Sequence, residues 1–298
     1  MLVFEGERFT VNAVALCPNG RYLATSTDRI HLRSLTNPDA EPVDLGHRGA
    51  AIGFLVDGRL VVAGSAALVI RPSQPKRGAV RFLLPENLVA NAVLPDDRLL
   101  AASGTSTVTT FALCRIRPDR VEIESQVTVP GKVTVTATAV SPDAKWLAVG
   151  APLSTKHGKA RSGVRLCAFD RGEQVGELAE ATGALNSLVW SPCGRFIAGT
   201  LNTRLVVWSA ESGTLVGELE AGGTRLFRGP CFHSSGRFLA AGGANVEGGV
   251  YCWDVSTWKE LVGYRWPVGP VVSVCFSSDG SLAAAGGERG GITVWDVD

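Results

Sequence analysis

The sequence predicts an all-β chain: a seven-bladed β-propeller of four-stranded antiparallel blades, with the N-terminal strand completing blade 7. Three observations predict it. A tight turn recurs seven times, as CPNGR (17–21), LVDGR (55–59), LPDDR (94–98), SPDAK (141–145), SPCGR (191–195), HSSGR (233–237) and SSDGS (277–281). Its fourth residue falls at 20, 58, 97, 144, 194, 236 and 280, in steps of 38, 39, 47, 50, 42 and 44 residues, the spacing of propeller blades. Between the turns lie short runs of Val, Leu, Ile and aromatic residues bounded by Gly, Asn, Asp and Ser, the signature of antiparallel hairpins. The two ends are also incomplete in complementary ways: the last repeat stops at a third strand (292–298), and the chain opens on a strand (2–6) with none before it.

Taken in order, the blades are expected at 9–45, 46–85, 86–130, 131–180, 181–220, 221–266, and 267–298 together with 1–6, in one domain over residues 1–298. The fifth repeat shows the plan most plainly. LNSLVW (185–190) is a first strand, FIAGT (196–200) a second, RLVVWS (204–209) a third and LVGELE (215–220) a fourth. One small residue recurs at one place in each second strand: Ala24, Ala63, Ala101, Ala148, Ala198, Ala240 and Ala284. Near the axis of a radial array neighbouring sheets crowd together, and only small side chains fit. Further out the wedge widens, and Phe169, Trp208, Trp253 and Trp295 are placed to fill it. At the ends, residues 2–5 are expected to pair with the last repeat, removing two sheet edges.

Composition narrows function. The 298 residues are 45% hydrophobic with net charge +1, so no global field draws the chain to nucleic acid or to an acidic membrane. Arginine outnumbers lysine 23 to 6, a bias of the kind GC-rich bacterial genes carry. The start has no basic segment followed by a long apolar stretch, so no signal peptide is expected. The apolar runs are too short to cross a bilayer. The seven cysteines include no C-x-x-C pair, and Cys231, Cys252 and Cys275 lie within strand patterns, which suits a reducing, cytoplasmic setting.

Several third strands end in an aromatic residue and an acid. Trp253-Asp254 and Trp295-Asp296 do so, with variants Phe169-Asp170 and Trp208-Ser209, and Gly46-His47 forms a glycine–histidine pair. In these motifs the chain resembles the WD-repeat β-propeller family over its whole length. Repeats one to three depart from the pattern, with Leu32-Arg33, Ile70-Arg71 and Ala112-Leu113 at the same place. The family's His–Ser/Thr–Asp–Trp network is therefore mostly absent, and apolar packing is expected to replace it. The resemblance implies a non-catalytic scaffold that binds protein partners, whether alone or as a subunit of a larger complex. It also implies that partners dock on the face carrying the turns between second and third strands.

Candidate binding residues follow from that face. The longest departure from the repeat, 152–163 in blade 4, reads as a basic loop with Lys156, His157, Lys159 and Arg161. Arg48, Lys132, Arg204, Arg225, Arg228 and Arg289 are expected on the same face, with Glu7, Asp28, Glu86, Glu180, Glu247 and Glu288 near enough to offset them. A ring at the channel mouth is assigned to Asn12, Ala50, Val89, Thr136, Asn186, Arg228 and Val272. No catalytic, cofactor-binding or metal-binding residue is assigned. The four histidines lack metal-ligand spacing, and the glycine runs 240–249 and 284–291 read as hairpin turns rather than phosphate cradles. Two rival readings remain: a propeller hydrolase of lactonase type using His47, Glu86 and Arg204, and a nucleic-acid module using Lys156, Lys159, Arg161 and Arg228. Near-zero charge and the lack of aromatic–basic interleaving count against the second.

Overall fold

The computed structural model describes residues 1–4, 9–47, 51–75, 79–85, 88–94, 96–104, 108–130, 134–156, 159–201, 204–220, 226–243, 248–266 and 268–297, with the backbone alone at 154–156 and 159–160. The chain opens on β1 (Leu2–Phe4). Blade 1 comprises β2 (Ala13–Leu16), β3 (Tyr22–Ser26), β4 (Ile30–Ser34) and β5 (Val43–Asp44). Blade 2 comprises β6 (Ala51–Phe54), β7 (Leu60–Ala63), β8 (Ala66–Ile70) and β9 (Val80–Leu83). Blade 3 has β10 (Val89–Leu94), β11 (Arg98–Gly104), β12 (Val108–Ile116) and β13 (Val121–Pro130). Blade 4 has β14 (Ala137–Val140), β15 (Trp146–Lys156), β16 (Lys159–Ala168) and β17 (Glu173–Glu177), plus a short fifth strand β18 (Ala181–Thr182) paired with β16. Blade 5 is β19 (Leu185–Trp190), β20 (Phe196–Leu201), β21 (Arg204–Ser209) and β22 (Leu215–Leu219). Blade 6 is β23 (Phe227–Phe232), β24 (Phe238–Gly243), β25 (Val250–Asp254) and β26 (Glu260–Tyr264). Blade 7 is β27 (Val271–Phe276), β28 (Leu282–Gly287) and β29 (Ile292–Asp296), completed by β1.

Every sheet is an antiparallel meander, and the seven form the expected propeller. β1 pairs with β29 through Leu2–Val294, Val3–Thr293 and Phe4–Ile292, and Phe4 is buried there. The first strands of successive blades pack round the axis, except that β10 and β14 stand apart. That seam closes further out, where Phe111, Val127 and Val129 of blade 3 meet Leu147, Val149 and Cys167 of blade 4.

The small and large residues lie where the taper requires. The seven second-strand alanines are each 1% exposed or less. Trp208 and Trp253 are 1% exposed, and Phe169 and Trp295 are buried. The Trp208 indole N–H donates to the Ala179 carbonyl at 2.9 Å, so the ring also ties blade 5 to the segment leaving blade 4. The repeated turn has one backbone solution. Its fourth residue has positive φ in all seven copies: Gly20, Gly58, Asp97, Ala144, Gly194, Gly236 and Gly280. Asp97 (64°) and Ala144 (58°) bear the steric cost that glycine avoids.

One expectation is corrected. The basic stretch 152–163 is not an irregular loop. β15 and β16 run on past the blade as a paired ladder, with Pro152 opposite Ser162, Leu153 opposite Arg161 and Lys156 opposite Lys159. Backbone pairing satisfies the extra residues, and β18 covers the ladder's side through Arg161–Thr182 and Ser162–Ala181.

Candidate functional site

The meander places the turns between first and second strands, and between third and fourth, on one face of the disc. The turns between second and third strands share the other face with the blade-to-blade connections. Of the residues singled out from sequence, those that are described lie on or beside this second face. Arg48, Lys132 and Arg225, and with them Ala50, Glu7, Glu86 and Glu247, lie outside the described residues, as do His157 and the side chains of Lys156 and Lys159.

The remaining arginines are mostly committed to glutamates. Arg161 pairs with Glu180 and Arg228 with Glu288. Arg204 donates through Nη1 to Glu218 at 2.8 Å and through Nη2 to the Thr182 carbonyl at 3.0 Å. Arg289 is exposed and packs over Gly269. Three cations that looked like a basic patch are therefore locally neutralised, and exposed pairs of this kind contribute little energy but cancel the field.

Of the ring assigned to the channel mouth, Val89 is exposed, Val272 is half-buried and Arg228 is paired with Glu288. Asn12, Thr136 and Asn186 are exposed there, and Asn12 Nδ2 donates to the Thr27 carbonyl at 3.4 Å. Where β10 and β14 stand apart, a cavity of about 360 Å³ opens onto the channel, lined by Asn91, Thr136, Thr138, Asn186 and Ser187 among others. Asn91 and Thr138 were not singled out from sequence. They face this cavity only because one inner seam is open, and nothing in the repeat pattern signals that.

Of the residues of the hydrolase reading, Glu86 lies outside the described residues and Arg204 is paired with Glu218. His47 is half-buried, and its carbonyl accepts from Ile30 N–H at 3.1 Å. Burial pushes the thiols of Cys167 and Cys231 up to about 11 and that of Cys252 up to about 12, so they stay protonated and inert at neutral pH. Among the described residues, no three His, Cys, Asp or Glu side chains gather as a metal site. The glycine run 284–291 is a tight hairpin turn, closed by Gly287 N–H to the Gly291 carbonyl at 2.9 Å. Of the run 240–249, residues 244–247 lie outside the described residues.

A larger groove, about 690 Å³, lies on the opposite face under blades 4 and 5. Sequence reading passed over it because its walls come from two repeats and its rim from three separate turns. The one signal available was Cys193 standing where other repeats carry Asp.

Known proteins agree with the architecture. Residues 1–30, 172–209 and 260–296 match the family described as "WD domain, G-beta repeat". Proteins named "Serine-threonine kinase receptor-associated protein" from Gallus gallus, Rattus norvegicus and Homo sapiens are each 30% identical to the chain over 114 residues. That stretch is 38% of this chain and 31% of each relative, so the match spans about a third of their length. These relatives are vertebrate and lend no support to a bacterial source. Seven four-stranded blades, the aromatic–acid third strands and these matches, which cover about a third of the chain, together support placing it with the WD-repeat family.

Proposed function

We propose that this propeller is a non-catalytic scaffold that binds a protein partner on the face of the second-to-third-strand turns and at the channel mouth. The observation that carries the reading is the character of that mouth. Asn12, Asn91, Thr136, Thr138, Asn186 and Ser187 offer amide and hydroxyl groups, and among the described residues no acid, base and nucleophile converge beside them. Pairing of Arg161, Arg204 and Arg228 with glutamates favours a partner read by hydrogen bonds and shape over a polyanion. The vertebrate relatives are named for association with a serine-threonine kinase receptor, which supports protein association as the general role and leaves this chain's partner open. All seven cysteines are free thiols, as a reducing compartment such as the cytoplasm would keep them. No helix among the described residues is long and apolar enough to cross a membrane.

The test is affinity capture of the tagged chain from its native cells, beside a bait carrying Asn12→Arg, Asn186→Arg and Arg228→Glu. A stoichiometric protein lost from the second bait is expected. One kept by both baits would move the site off this face, and no stoichiometric protein at all would overturn the scaffold reading.

A further inference from the structure

The groove on the opposite face is built from a defect in the repeat. In the turn pattern the third and fifth residues are commonly an acid and a base. In blade 2 Arg59 Nε donates to Asp57 at 2.6 Å, and in blade 3 Arg98 pairs with Asp96. Blade 4 has Asp143 and Lys145 in the same places, and Lys145 helps to hold the Asp143 carboxyl below its usual range against the opposing effect of burial. In blade 5 the acid is replaced by Cys193, and Arg195 has no carboxylate partner among the described residues. Blades 1 and 6 also lack the acid, having Asn19 and Ser235; at blade 5 the arginine left without a carboxylate borders a large groove, and its partner within the turn is the Cys193 sulfur.

The surroundings say what would take the missing place. Trp146, Trp190 and Phe196 supply aromatic wall. Phe196 is held edge-on by Trp258 at 5.1 Å, and the Arg195 guanidinium lies over the Phe196 ring at 5.6 Å. The cation, though exposed, is thereby positioned over the apolar floor. Arg171, exposed on the outer turn of blade 4, is a second lining cation with no carboxylate partner among the described residues. Two acids also lie on the lining: Glu177 accepts from Gln174 Nε2 at 3.1 Å, and Glu211 stands on the third-to-fourth-strand turn of blade 5 as Arg171 does on that of blade 4.

We infer that this groove is a second docking surface, for a short protein segment that presents an apolar side chain beside a carboxylate. The apolar side chain covers Trp146 and Phe196, and the carboxylate takes the place that Asp57 and Asp96 fill in their own turns, against Arg195. Desolvated by the aromatic wall, such a charge-assisted pair carries more energy than an exposed one. The surface is separate from the channel mouth, so it stands or falls independently of the scaffold reading there.

A phage-displayed library of random short peptides, panned on the full-length chain, tests this. Enriched peptides are expected to share an aromatic or large aliphatic residue next to Asp or Glu. Cys193→Asp restores the acid found in blades 2 to 4, and should weaken their binding about tenfold or more while leaving the melting temperature at or above wild type. Arg195→Ala should weaken binding similarly, and Asn186→Arg, at the channel mouth, should not. Cys193 is the exposed cysteine of the seven, so bound peptide should also slow its alkylation by iodoacetamide. Peptides enriched in basic residues, peptides indifferent to Cys193→Asp and Arg195→Ala, unchanged alkylation, or no enrichment at all would each overturn the proposal.

Discussion

Blades 3 and 5 follow one meander and are held together by different means. Blade 5 keeps the repeat's aromatic: Trp208 fills the wedge and its indole N–H bonds across to Ala179. Its third and fourth strands are 6 and 5 residues long. Blade 3 lacks that tryptophan, buries Phe111, and has third and fourth strands of 9 and 10 residues. It also carries a charge lattice. Arg98 and Arg115 lie directly opposite each other across β11 and β12, which alone would be repulsive. Glu124 on β13 accepts from both, from Arg98 Nε at 2.6 Å and from Arg115 Nε, while Glu122 accepts from Arg117 and Arg120. One blade is locked by a buried ring and the other by longer strands and partly exposed ion pairs. A repeat can lose its signature residue when pairing length and charge order replace what the ring supplied.

The largest expected effect is at the ring. Trp208→Ala should destabilise the chain by about 3–5 kcal/mol in urea unfolding, whereas Trp208→Phe, which keeps most of the wall and loses the Ala179 bond, should cost about 1–2 kcal/mol. Equal costs would mean that the hydrogen bond, not packing, locks blade 5. Glu124→Gln comes next. It leaves Arg98 and Arg115 opposed, and should cost about 1–2 kcal/mol at low salt and markedly less at molar salt. A cost independent of salt would show that the lattice is not electrostatic in origin.

The comparison also predicts an order of loss in acid. Burial pushes the Glu124 carboxyl up, but the hydrogen bonds from Arg115 and Arg98 outweigh it and hold the group below the usual glutamate range. Glu122 is held low chiefly by Arg117. A group with a lowered folded pKa contributes its full stability above the unfolded value, about 4.3 for Glu, and loses it as pH falls through the folded value. Amide exchange should therefore quicken in 98–130 before 185–219 as pH drops below about 4. Simultaneous loss would mean that the two blades unfold as one unit. The smallest effects lie in the shared turn. Ala144→Gly should stabilise by about 1 kcal/mol by relieving positive φ. Asp97→Gly should gain little, because Asp97 Oδ1 accepts from Val56 N–H at 3.1 Å and that bond is lost.

Much of this molecule was legible in the chain because the blade is a local object. Its strands are neighbours in sequence, so turn chemistry and apolar runs specify each hairpin before any tertiary contact forms. The seven turn marks, the axial alanines, the wedge-filling tryptophans and the β1–β29 closure were all readable on that basis. What neighbouring blades do to one another was not. The pairing of Arg228 with Glu288 joins residues 60 apart, and Arg161 meets Glu180 only because β16 is prolonged into a hairpin. The open seam beside β10 and the groove around Arg195 arise from how finished blades abut. Charge cancellation and cavity shape are set at those seams, where the packing of one repeat against the next decides which side chains find partners and which are left for something else.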